Sequence, residues 1–151
     1  MQKKQVWNQE NLVSLPASTW IGLLARSGTV GGRTDVTVDF IARGEEADQF
    51  RMILVEEGPW DGATEANLRR VQDRLFGCVE AALEGLLAEK FPESVGKTII
   101  IELDGYNLPE HDVREFFCAF ADGVLELDEY KRELISSKYV SGVLFKLNLH
   151  S

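Results

Sequence analysis

The chain has 151 residues, 44% of them hydrophobic and 27% charged, the composition of one globular domain with a core of its own. Its formal net charge is −9, and residues 76–151 hold fourteen acids against seven bases. An acidic chain with no basic stripe repels phosphate backbones, so nucleic acid is not expected as a partner.

Lys3 and Lys4 lead into Val6-Trp7-Asn8-Gln9-Glu10, too polar for the apolar segment of a secretory signal. The longest early apolar run, Trp20 to Ala25, falls far short of the roughly 20 residues that span a bilayer. A cytoplasmic protein without a membrane helix is expected, with Cys78 and Cys118 as buried free thiols. Residues 1–33 admit two readings, a helix opened by Ser14-Leu15-Pro16 or an edge strand over residues 19–30. The glycine-rich Gly28-Thr29-Val30-Gly31-Gly32-Arg33 reads as a connector.

Residues 34–43 alternate Val36, Val38 and Phe40 with Thr37 and Asp39, the pattern of a half-buried strand. After a polar turn, residues 49–56 are apolar on both faces, so they form the central partner of a hairpin. From Thr64 to Phe91, Leu68, Val71, Leu75, Val79, Ala82 and Leu86 recur at helical spacing, with Asp61 or Thr64 as cap and Pro92 as stop. A β-branched strand follows over residues 97–103. Next comes a helix after Pro109 that aligns Val113, Phe116, Phe117, Phe120 and Val124, and then a strand over residues 139–149. The expected fold is one α+β domain over residues 1–151. It is a two-layer sandwich of about four largely antiparallel strands, with two main helices on one face.

The apolar strand leading to Trp60-Asp61 is followed by Leu68 with Gln72, Arg74-Leu75, Phe91-Pro92-Glu93, and Gly96-Lys97 before an Ile-rich strand. This series resembles a family of small bacterial proteins classed as a domain of unknown function, over residues 50–110. The resemblance implies a compact bacterial domain and no mechanism.

Gly96-Lys97-Thr98 is like the end of a phosphate-binding loop, but Phe91 stands where its first glycine belongs and a strand follows the lysine, so no nucleotide site is expected. His111 and Glu115 share a helical face, yet a catalytic zinc needs a third ligand. Glu102 and Asp104 occupy alternate positions on one strand and so could share a face, which leaves general acid and base work open to them. No metal or other cofactor is implied. Gln72 falls close to the apolar stripe of its helix, so its amide needs a partner, and Trp60 is either a core plug or an exposed anchor.

Two surfaces suggest partners. Gly77, Ala81 and Gly85 recur every four residues on the back of the first helix, with Arg70 and Arg74 on the same side, a row that admits close approach of another helix, including that of a homodimer partner. Between Asp104 and Glu129 stand eight acids, with Arg114 as the single base. Of these, Asp112, Glu115, Asp122 and Glu126 fall opposite the phenylalanines if the helix continues past Gly123. They suit docking of a basic protein, as an inhibitor or immunity protein docks a nuclease. An interaction module is therefore the leading expectation, with Trp60 as a candidate anchor. The alternative is a small hydrolase using Glu102, Asp104, His111 and Glu115.

Overall fold

The computed structural model describes residues 38–151, so both readings of residues 1–33 and the first four residues of the strand expected over 34–43 lie outside the described residues. The elements are β1 (Phe40–Arg43), β2 (Gln49–Glu57), α1 (Thr64–Glu84), α2 (Leu86–Lys90), β3 (Lys97–Tyr106), α3 (Glu110–Gly123), α4 (Asp128–Ile135) and β4 (Val140–His150), with 3-10 turns at Pro92–Ser94 and Val124–Glu126.

The sheet has the order β1-β2-β3-β4. It is mixed, which corrects the expectation of a largely antiparallel one: β1 and β2 pair antiparallel, while β2 with β3 and β3 with β4 pair parallel. The reason lies in the connections. A short turn reverses the chain between β1 and β2, whereas each helical crossover returns it to the end from which it started. Since β2, β3 and β4 are laid down in one direction across the sheet, the strand order never reverses. Among the described residues no crevice of the kind that binds ligands at such reversals is created.

One face of the sheet is the core. Phe50, Met52 and Leu54 of β2 sit in register with Ile99, Ile101 and Leu103 of β3, all at most 2% exposed, and Val143 and Phe145 continue the rows on β4. Phe120 of α3 meets Phe76 of α1 edge-on at 5.3 Å between centroids and Phe145 at 5.8 Å, and Phe76 lies 6.0 Å from Tyr130 of α4. These rings join three helices to the sheet. Arg51, Ile53 and Val55, then Ile100, Glu102 and Asp104, then Leu144, Lys146 and Asn148 form the other face, and the described helices pack on the first.

The helix expected from Thr64 to Phe91 is two. Gly85 takes the left-handed conformation (φ 94°) between α1 and α2, and a Cβ there would lie 2.6 Å from the Tyr139 ring. Only glycine fits both constraints without strain. At the other end neither Asp61 nor Thr64 caps α1. The N-cap is Ala63 without a side-chain bond, and Asp61 turns with φ 33°.

The C-terminal part of β2 outruns β1 and is finished by side chains. Asp39 Oδ2 accepts from the Val55 N–H at 2.7 Å, and Arg74 Nη1 donates to the Val55 carbonyl at 3.2 Å and to Glu56 Oε2 at 2.8 Å. Arg74 Nη2 also pairs with Asp39 at 2.9 Å, and Arg70 Nη1 reaches Glu56 Oε2 at 2.6 Å. Burial acts to raise the Asp39 carboxyl, but the Val55 N–H and Arg74 outweigh it and hold the group below its ordinary range. The Glu56 side chain is 3% exposed, that of Arg74 16% and that of Arg70 47%. The two arginines are therefore not equivalent. Arg74→Ala is expected to cost about 3 kcal/mol, because the buried Glu56 carboxylate is left with one half-exposed partner. Arg70→Ala, judged as an exposed pair, is expected to cost under about 1 kcal/mol. Urea unfolding of both variants checks the difference; equal costs would contradict it.

Candidate interaction surface

The acids singled out in the sequence lie on α3 and just beyond it. Asp112, Glu115 and Asp122 share one side of α3 and are half-buried. Gly123 ends the helix, so Glu126 stands exposed on the 3-10 turn and out of the helical register. Asp128 and Glu129 open α4, an element that sequence periodicity missed because its eight residues present a single fully buried side chain, Tyr130. Lys131 Nζ meets Glu126 Oε1 at 3.4 Å, a contact between exposed groups that screening weakens. The helical path beyond Gly123 is thus a corner of three short pieces, and the acids spread around it instead of forming one line.

Arg70 and Arg74 do not turn toward these acids. Both point at the end of β2, to Glu56 and Asp39, as described above. The small residues between them and the end of α1 do not form one exposed row: Gly77 and Ala81 are buried, and Gly85 lies beyond the helix against Tyr139. Between Leu75 and Leu83 every residue of α1 is buried, including Glu80, whose Oε2 accepts the Tyr130 hydroxyl at 2.6 Å. The sequence pattern marked one apolar side of this helix. Other sides are closed as well, and α4 supplies part of that cover.

Glu102 and Asp104 do share a face, and the Asn148 amide bridges them, donating to Glu102 Oε2 at 2.9 Å and to Asp104 Oδ1 at 2.8 Å. Arg51 Nη1 pairs with Glu102 Oε1 at 3.2 Å. This is the face opposite α3, so His111 and Glu115 do not converge with them. Among the described residues no group of three or more His, Cys, Asp or Glu could hold a metal ion. Neither cysteine is in a disulfide, and both are buried. Burial pushes Cys78 up to about 12, with Arg74 and then Asp39 acting in opposite senses, and burial followed by the Asp122 charge raises Cys118. Neither forms the thiolate that nucleophilic catalysis needs at neutral pH. No helix among the described residues is long and apolar enough to cross a membrane.

Trp60 is buried, a plug in the core beneath the start of α1 and not an exposed anchor. Gln72 is 4% exposed and its Oε1 has no hydrogen-bond partner, where the sequence led us to expect one. A solvent-open depression of about 460 Å³ lies at the break between α1 and α2, between Glu84, Glu89, Lys138 and Tyr139. It gathers no nucleophile and no metal-ligand set.

Comparison of the chain with protein-family models, with curated proteins and with solved structures gives no match, so its function has to be argued from the geometry alone.

Two expectations follow from the buried polar groups. An acceptor left unpaired in a packed interior costs about 1–3 kcal/mol, and methionine nearly matches glutamine in shape. Gln72→Met should therefore stabilise the protein by roughly 1 kcal/mol in chemical denaturation, and a loss of stability would show that the amide is held by a partner. Glu133 of α4 has its carboxyl raised above the ordinary 4.5, by burial first and then by the charges of Glu129 and Glu80. A raised carboxyl is harmless below its unfolded value and costs stability as the pH rises through its folded one. Glu133→Gln is expected to raise the melting temperature at neutral pH, with the gain vanishing as the pH falls below 4.5. A gain that persists in acid would rule out this electrostatic cause.

Proposed function

We propose that the protein is a non-enzymatic interaction module, an inhibitor or immunity-type partner or an assembly component, that docks a basic protein through the acids of α3 and the corner after it. The reading rests on where the arginines of α1 go. Arg70 and Arg74, the bases on α1 best placed in sequence to neutralise a neighbouring acidic helix, are engaged by Glu56 and Asp39. Neither arginine turns to α3, where Asp112 and Glu115 lie half-buried on one side with Asp122, and Glu110, Glu126 and Asp128 stand exposed beside them. An acidic field of this kind speeds encounter with a cationic surface and rejects anionic ones.

In this reading the scaffold is a two-layer α+β sandwich whose helical layer carries the docking side, and it works in the cytoplasm, where Cys78 and Cys118 remain thiols. Trp60 takes no part, being inside. No cofactor is invoked. The alternative, a small metal-dependent or carboxylate-using hydrolase, has less support because Glu102 and Asp104 lie across the sheet from His111 and Glu115.

Affinity capture from the native source tests the proposal, with the wild-type chain and a variant carrying Asp112→Asn, Glu115→Gln, Asp122→Asn and Glu126→Gln. The wild type is expected to retain a basic protein, more weakly as salt is raised, and the variant to bind that protein on the order of tenfold or more weakly. Equal retention by the variant would remove the acidic side from consideration.

A further inference from the structure

We infer that the face of the sheet left bare by the helices is the seat of a second copy of this chain. Three parallel strands, β2 to β4, make up most of the sheet, and parallel strands are found with both faces covered. Here the described helices cover one. The bare face is not built for water. Phe40 of β1 pairs with Ile53 of β2, Ile100 of β3 pairs with Leu144 of β4, and Ile53 and Ile100 are diagonal neighbours, since Ile53 pairs with Glu102 two residues on. These four side chains form two apolar pairs, one on β1 and β2 and one on β3 and β4, with the Arg51–Glu102 ion pair crossing between them. Phe40 is 60% exposed and Leu144 54%, and with Tyr106 at 42% they are three of the five large apolar side chains exposed on the described surface.

Charge selects the occupant. A two-fold interface brings a patch against itself, so it requires a patch that does not repel itself. On a chain of net charge −9 that condition is restrictive. The centre of the bare face meets it: Arg51 and Lys146 stand against Glu102 and Asp104, with Glu102 paired to Arg51 and both carboxylates tied by Asn148. A balanced apolar patch offers nothing to a strongly cationic partner, which the acids of α3 would attract to the other side of the protein. A second copy, placed sheet to sheet at the usual spacing of about 10 Å, buries Phe40 and Leu144 of both.

The proposal is independent of the acidic docking side, and its test needs no other protein. Sedimentation of the full chain over a range of concentrations should give twice the 16.9 kDa chain mass. Leu144→Lys, at an exposed position that the monomer's core does not need, should weaken the dimer on the order of tenfold or more, as should Phe40→Lys. Amide hydrogen exchange in the wild type should slow over residues 40–43 and 140–150 as concentration rises. A monomer at every concentration overturns the proposal, as does a dimer that both lysine variants leave unchanged. A monomer whose melting temperature falls with Leu144→Lys also overturns it and assigns the face to residues 1–37 of the same chain.

Discussion

The buried carboxylate of Glu56 is the constraint around which the rest is arranged. It sits on the core side of β2, 4% exposed, where an unpaired charge would cost several kcal/mol. Its compensation comes from α1, through Arg70 and Arg74, and the same Arg74 guanidinium reaches the Val55 carbonyl and Asp39. One planar group with its donors in a fixed fork thereby joins the helix, the stretch of β2 that extends past β1, and the approach to β1. Apolar packing would tolerate small slips of α1 along the sheet. This set of bonds does not, and it fixes where the helix crosses the strand.

Because those arginines are engaged there, the molecule keeps its charges apart. Arg70 and Arg74 of α1 are used at the end of β2, and many of the acids gather on α3, the corner after Gly123 and α4. The sheet's bare face holds a third arrangement, balanced and partly apolar. The three environments differ in kind: the first is engaged within the fold, the second is rich in acids at the surface, and the third sets paired charges beside exposed Phe40 and Leu144.

How much of this was legible in the sequence differs from element to element. The four strands were visible because Phe40, the run from Phe50 to Val55, Ile99 to Ile101, and Val143 to Leu149 carry period-two or continuous apolar signals. Strand direction was not, because alternation is the same in either sense and only the lengths of the connections carry it. The apolar stripe of α1 was correctly placed, but its end was misjudged: Gly85 was read as part of a small-residue row on the back of the helix, and the Tyr139 ring that demands it comes more than fifty residues later. α4 escaped because one buried tyrosine in eight residues has no period. At the candidate surface, Asp112, Glu115 and Asp122 kept their common side, whereas Glu126 did not, since Gly123 breaks the register. The partners of Arg70 and Arg74 could not be read at all, because Glu56 and Asp39 are brought to them only by the fold.

The strand order also governs how the protein must be made. β3 lies inside the sheet and pairs with β4 along its whole length, from Lys97 opposite Val140 to Tyr106 opposite His150. Yet β4 begins 34 residues after β3 ends. At ribosomal speeds of about 5–20 residues per second, the β3 edge stands unpaired for a matter of seconds in every newly made chain. During that interval it presents Thr98-Ile99-Ile100-Ile101 as a row of open backbone groups, the kind of template to which other nascent strands adhere. The rate at which α3 and α4 compact and deliver the last strand therefore decides how much of this chain reaches the folded state.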